Sequence, residues 1–519
     1  MKKFNIIRSI LSLAVLALAG CEDGFDTGLD LEPTGAVSET IFWQDENDAR
    51  LAVNAVYNEL DNTQMVIELD GITDLGFRSA SNVPTFNDVR LGELDPSNAT
   101  ITGIWERYYR GIRKANDVLT NIGNVEGDAE VLSRLEAEAR FLRAYYYTQL
   151  TSLWGDVPLI LEPLDINDQR PATAKAEIVD FIIDELDDII SNNVLPLSYT
   201  DVNVGRVTHG AALTLKARVA LRNNMYEMVV DATTAVMDLG IYSLYPNYGE
   251  LFQFAGQNSS EIIFDRQYAV GGNVYNAFGY SAASIGGGST VEPMHGLFEK
   301  YDYNGPVNPD DPFENIDPRW DFTAYYTGQP IGTSTFNSWP TSNTPDRISS
   351  TEFSTVYGYN LKKWVDYDTY SSNPDIGSIN MILMRYADVL LMYAEAKIEL
   401  GDIDASVYDA INQIRQRPTV EMPAISSGLS QDELRQILRD ERAVELAFEG
   451  LRIFDINRWE IGEVKAGLLQ GMYYINQNSG EWEILDLGVE ANFVERDYLW
   501  PIPQSEMDIN DVLEQNTGY

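Results

Sequence analysis

Apolar positions recur with a helical period over most of the chain. Ala49, Val53, Val56, Tyr57 and Leu60 share one face of a helix expected over Glu46 to Leu60. Ile104, Tyr108, Ile112, Ala115 and Leu119 do the same within Ile101 to Ile122. A third helix, from about Ala129 to Leu153, carries Tyr145, Tyr146 and Tyr147 and stops at Trp154-Gly155; a short acidic one follows over Ile178 to Ile190. Thr208 to Gly240 and Leu383 to Arg417 each read as two small-residue helices joined by a short turn, about the 34-residue length of a tetratricopeptide repeat. Such a hairpin cannot bury its own face and must stack on a neighbour, so the pattern predicts one helical superhelix, divided by an insertion at residues 241–380.

The first helix of the Leu383 stretch is apolar almost without a break to Ala394, which predicts burial on most sides. Its charges, Arg385, Asp388, Glu395 and Glu399, fall within one arc of about 80° at helical spacing. A buried charge needs a partner, because leaving it unpaired costs several kcal/mol. Glu441, Arg442, Glu445, Glu449 and Arg452 recur at helical spacing downstream and supply candidates, so the two stretches are expected to lie against each other as an ion-pair network.

Two regions lose periodicity. Asp70 to Pro96 gathers Gly, Asn, Asp and Pro, and a long irregular stretch inside a compact protein usually has a task. The insertion is rich in loop-forming sequence, with short strands such as Glu261 to Arg266, and reads as an irregular lobe mounted on the helices. The tail from Tyr498 to Tyr519 is extended and proline-rich, with a short helix at Ser505 to Leu513.

Met1 to Gly20 has a basic start and an apolar run from Ile10 to Leu18, too short to span a bilayer and laid out as a secretory signal. It ends in LAGC, which looks like a lipobox that would lipidate Cys21, ordinary cleavage leaving a free thiol being the alternative. Either way residues 21–33 form a flexible tether, and the folded part begins at about residue 34. Cys21 is the only cysteine, so the part beyond it has no disulfide, thiolate metal site or thiol nucleophile. The formal charge of −44 becomes more negative once Lys2, Lys3 and Arg8 leave with the leader. A field of that sign disfavours nucleic acid, anionic membranes and polyanionic ligands.

The two histidines, His209 and His295, sit in no HExxH or Glu-x-x-His pair, so zinc hydrolysis and di-iron chemistry are not expected. No Walker loop or dinucleotide fingerprint occurs, and GGGST at 286–290 reads as a loop. The acidic segment Asp302 to Asp317 lacks the alternate-position ligands of an EF-hand and reads as a solvated loop. With 80 acidic residues, paired carboxylates carry no catalytic weight. No catalytic residue, metal or cofactor is expected.

Several segments carry a resemblance. RYADVLLMYAEA with its glycine turn, ERAVELAFEGLRIFDINRW, and the terminal YLWPIPQSEMDINDVLEQNTGY are similar to signature segments of the SusD/RagB family of outer-membrane glycan-binding lipoproteins of Bacteroidetes. The acidic CEDGFD after the cleavage point resembles their surface-export signals, DVPL at 156–159 resembles the family's exit from the preceding helix, and Asp317-Pro318-Arg319 matches a motif that fixes the end of a loop. The resemblance implies a mainly α, tetratricopeptide-like domain over residues 34–519, with scaffold at 38–240 and 381–460. It implies a lipid-anchored protein at the cell surface that touches the membrane only through its lipid and binds glycan without catalysis. A SusC-like TonB-dependent transporter would be the partner, facing the repeat helices.

A sugar ring has an apolar face and a hydroxyl rim, so its site needs aromatic platforms beside Asp, Asn and Arg groups. The first irregular region offers Asp70, Asp74, Phe77, Arg78, Asn82, Phe86 and Asn87; the second offers Tyr275, Phe278, Tyr280, Phe336 and Trp339. Trp105, Trp154 and Trp459, on patterned helices, are expected in the core. The charge favours a neutral, glucan-type ligand. A lipoprotein glycosidase, a protein-only adaptor and a receptor for another nutrient remain alternatives.

Overall fold

A computed structural model describes residues 42–78, 85–165, 168–200, 202–349 and 353–519, so Cys21, the leader and the tether lie outside the described residues. The main helices are α1 (Glu46–Tyr57), α2 (Thr85–Leu91), α3 (Ala99–Asn121), α4 (Ala129–Trp154), α5 (Lys175–Asn192), α6 (His209–Arg222) and α7 (Tyr226–Asp238). After the insertion come α8 (Tyr386–Leu400), α9 (Ala405–Arg415), α10 (Gln431–Glu445) and α11 (Arg452–Arg458). The longer strands are β1 (Gly76–Arg78), β2 (Ile262–Arg266), β3 (Val291–Pro293), β4 (Met381–Arg385), β5 (Gly467–Ile475) and β6 (Trp482–Ala491).

Side-chain caps set several helix starts. Asp45 and Asp48 form a reciprocal capping box on α1, Asn98 caps α3 and Asp128 caps α4. α3 and α4 pack tightly where Gly111 meets the Tyr146 ring; a Cβ there would come within 2.4 Å of it. The tyrosine run is wholly buried, and each hydroxyl has a partner. Tyr145 donates to Asp61, Tyr146 to the Val56 carbonyl and Tyr147 to the Ile160 carbonyl.

From α4 the helices stack in order: α5 on α4, α6 on α5, α7 on α6, α8 on α7, then α9 and α10 on α8. The α7–α8 contact makes one superhelix of the two halves, as their period predicts. Gly401, at φ +72°, ends α8 at the expected glycine turn. One boundary differs. The apolar run begins as strand β4, paired antiparallel with β2, and the helix starts only at Tyr386. A short apolar run does not distinguish a buried strand from a buried helix, and here Met381 to Arg385 is buried on both faces of its strand.

Charge joins the insertion to the scaffold. Arg385 pairs with Glu261, Glu445 and Glu449, and Arg417 pairs with Glu261 and Glu445. Arg319, held by Asp317 as the loop-end motif implies, also reaches Glu441 and Glu445, while Lys363 reaches Glu449. Burial alone would raise the Glu445 carboxyl, but Arg417, Arg385 and Arg319 outweigh it and hold the group well below the usual carboxylate range. Along α8, Asp388 meets Arg442 and Arg218, Glu395 meets Arg458, and Glu399 meets Arg435. The expected network is present, except that Arg452 turns away to Asp74.

The remaining strands make small two-stranded units. β1 pairs with β3. The hairpin of β5 and β6 falls in residues to which the periodicity assigned no element.

Candidate functional site

The first irregular region faces inward. Asp70, in a 3-10 turn over Glu68–Ile72, is fully buried and accepts a long bond from the Arg452 backbone N–H at 3.4 Å. Burial raises its carboxyl from the ordinary 3.8 to about 7, against the pull of backbone N–H groups at Arg452, Phe448 and Gly450. Asp74 takes a two-pronged ion pair from Arg452, at 2.8 and 2.6 Å. Arg78 reaches Glu68 at 2.6 Å and lies over the buried Phe86 ring, and Phe77 packs edge-on against Tyr357. Asn87 lies on α2 and is half-buried. Asn82 lies outside the described residues. Expected as ligand contacts, Asp74, Phe77, Arg78 and Phe86 are engaged by the protein's own groups, whereas one Asp70 oxygen and the Asn87 side-chain oxygen are buried without a hydrogen bond among the described residues.

The second set divides. Phe278 is buried and stacked on Tyr367 at 5.8 Å, and Phe336 is buried against Tyr325. Tyr275 donates its hydroxyl to the Ile379 carbonyl, and Tyr280 donates to Glu68, so both rings are fixed at their polar ends. Among the expected tryptophans, Trp105 and Trp154 are core, whereas Trp459 is half-buried with its indole N–H on Glu395.

Trp339 leads elsewhere. It is half-buried and meets Trp482 of β6 edge-to-face at 6.2 Å. Trp482 is also edge-on to Phe313 at 6.0 Å and to Tyr473 of β5 at 6.5 Å, and Phe313 stacks flat on Tyr326 at 4.0 Å. All five rings are half-buried, so each keeps an edge or face at the surface while its neighbours fix its tilt. Four chain segments converge here: the acidic loop, the segment at Tyr326, the turn around Trp339 and the β5–β6 hairpin. Trp482 donates its indole N–H to the Asp310 carbonyl at 2.8 Å, tying hairpin to loop, and Gln477 at the hairpin tip donates to Thr341 at 3.1 Å. The exposed Asp310, Asp311, Glu314 and Asn478 and the half-buried Asn337 lie on the same segments and supply hydrogen-bonding groups.

Of the expected ligand residues, this cluster contains only Trp339. Phe313, Tyr326, Tyr473 and Trp482 escaped sequence reasoning. A signal existed for the last two: Leu469, Gly471 and Tyr473 alternate before the turn-forming Asn478-Ser479-Gly480, and Trp482-Glu483-Ile484 resumes the alternation.

Comparison with known proteins gives this geometry a context. Residues 253–519 match the family described as the SusD family, and residues 40–221 match the family described as starch-binding associating with outer membrane. SusD-like protein P25 of Formosa agariphila is 26% identical over 569 aligned residues, covering 100% of both chains. A SusD-like protein of Bacteroides ovatus is 23% identical, covering 87% of this chain and 82% of its own. The crystal structure of a SusD-like carbohydrate binding protein from Bacteroides fragilis superposes with a TM-score of 0.84 at 28% identity, over 91% of this chain and 100% of that one. Surface glycan-binding protein A of Bacteroides thetaiotaomicron, solved in complex with laminarihexaose, shares the fold at a TM-score of 0.69 and 20% identity, over 91% of this chain and 100% of that one. Among the described residues no helix is long and apolar enough to cross a membrane.

Proposed function

The chain belongs to the SusD family, and we propose that it is a cell-surface glycan receptor that holds an oligo- or polysaccharide on the Trp482 cluster. Capture and hand-over, with no bond made or broken, is the mechanism. By this reading Cys21 carries the lipid that anchors the protein to the outer membrane, and a SusC-like TonB-dependent transporter receives the sugar. The observation that carries the reading is the set of half-buried rings, Trp339, Trp482, Phe313, Tyr326 and Tyr473, braced by loop and hairpin and flanked by carboxylates and amides. Ring faces take the apolar side of a pyranose, and the polar groups take its hydroxyls.

The ligand is a neutral, glucan-type polymer. Asp310, Asp311 and Glu314 are exposed beside the rings, and an anionic polymer would have to approach them against the field of a chain of formal charge −44. The laminarihexaose complex of the B. thetaiotaomicron protein supports this class.

Affinity electrophoresis of residues 22–519 through gels holding neutral or anionic polysaccharides tests the proposal. A neutral glucan should retard the protein, and Trp482→Ala should weaken that retardation by about tenfold or more, the cost of losing a central aromatic anchor. Retardation by a polyuronate alone would overturn the ligand class. Release of reducing ends would identify a hydrolase instead.

A further inference from the structure

A cleft of about 470 Å³ lies on the helical scaffold and shares no lining residue with the aromatic cluster. Its walls come from α3, from residues 158–165 and 168–170 and from the C-terminal helix Gln504–Ile509 with the residues after it. That volume is within the range of small-molecule sites, about 300–1,000 Å³. On the α3 side are Trp105 and Tyr109, with ring centroids 4.8 Å apart; Trp105 is braced edge-on by Trp154, and Trp154 by Trp500. The walls are tied together. Tyr109 donates its hydroxyl to the Pro158 carbonyl at 2.9 Å, Asn510 donates its amide to the Arg170 carbonyl at 2.8 Å, and Gln169 donates to the Ile509 carbonyl at 3.1 Å. The cleft is therefore preformed.

One of its polar groups lacks a hydrogen-bond partner, and one carboxylate lacks a cation. The Asn510 side-chain oxygen is buried without a hydrogen bond among the described residues. Glu506 is half-buried and takes a bond from the Trp105 side chain, yet no cation pairs with it among the described residues. The neighbouring charge is another carboxylate, Glu106, and burial together with that charge pushes the Glu506 carboxyl upward. Two arginines line the cleft: Arg170, on the opposite wall, is directed to Glu162 and Asp168, each at 3.8 Å, and Arg113, on α3, is exposed to solvent. An aromatic wall beside an unpaired carboxylate is the arrangement that holds an organic cation, by charge and by the ring's negative face.

We propose that this cleft is a second binding site, for a cationic sugar: an amino sugar with a free ammonium. The ammonium meets Glu506 and the half-buried ring of Tyr109. The pyranose body fills the cleft over that ring, and a hydroxyl donates to the Asn510 oxygen. A neutral sugar leaves Glu506 unpaired. A simple alkylamine leaves Asn510 unpaired.

The mature protein is titrated by calorimetry with glucosamine, N-acetylglucosamine, glucose and butylamine. Glucosamine should bind saturably, at least about tenfold more tightly than each of the other three, and Glu506→Gln should weaken it by about tenfold or more. Polysaccharide retardation of Glu506→Gln should equal wild type, which separates this site from the Trp482 cluster. Absence of saturable glucosamine binding, equal affinity for glucose or butylamine, or full affinity in Glu506→Gln would each overturn the proposal. The comparison among the four compounds on wild-type protein holds even if the variant folds poorly.

Discussion

The two irregular regions draw on the same residue types and have opposite fates. Residues 68–78 present Asp, Arg and Phe to the interior, where Arg452, Glu68 and Tyr357 receive them. The acidic loop, the turn at Trp339 and the β5–β6 hairpin present aromatic and acidic groups to the surface, where other rings flank them and no scaffold cation neutralises Asp310 or Glu314 among the described residues. A loop's composition therefore does not decide whether its side chains face the interior or the surface. What differs is whether the scaffold supplies partners for its polar groups. In the first region it does for Asp74 and Arg78, and the loop acts as a keystone; in the second the polar groups face solvent.

The sharpest way to break this contrast is to cut the keystone. Arg452→Ala strands the largely buried Asp74 carboxylate, and removing one partner of a buried pair costs about 3–5 kcal/mol. Chemical denaturation should report that loss, while the folded fraction keeps its polysaccharide retardation. A loss of retardation at unchanged stability would instead place the first region in the ligand site.

Asp70 gives a pH test of the same contrast. Its folded pKa, about 7, lies above the ordinary 3.8, so its contribution to stability is complete below about 4 and is lost as pH rises through 7. Asp70→Asn cannot ionise, so its stability should fall less than wild type between pH 5 and pH 8. Parallel melting curves for the two proteins across that window would show that Asp70 is not buried as described.

The smallest effect belongs to the outer face. Gln477→Ala removes one exposed hydrogen bond from the hairpin tip to Thr341 and should lower stability by about 0.5 kcal/mol or less. Polysaccharide retardation should weaken only a few-fold, because the Trp482 bond to Asp310 still holds hairpin to loop. A drop as large as that of Trp482→Ala would mean that the hairpin's position, more than its rings, makes the site.

Much of the scaffold was legible because its information is periodic and local. The faces of α1, α3 and α4, the two helical hairpins and the stripe of Asp388, Glu395 and Glu399 on α8 follow from spacing alone, whereas Arg385, expected on the same stripe, lies on β4. The β4–α8 boundary did not, because Met381 to Leu383 is apolar whichever element it forms. The aromatic cluster was legible only in part, since it is a tertiary object. Trp339 and Trp482 are far apart in sequence and meet through a loop, a turn and a hairpin that no single period describes. Phe278 and Phe336 looked equally available and are plugs of their own loops.

The contact between α7 and α8, clamped at its root by the β2–β4 pair, also bears on how the chain reaches its native state. Everything from residue 239 to residue 385 must be synthesised before α7 finds its partner, and closing so long a loop is slow even though each doubling in length adds only about 0.6 kcal/mol. Until then α7 has α6 against it but lacks the cover that α8 supplies. The Met381 strand, by pairing with β2, sets α8 directly behind it in position to complete that cover.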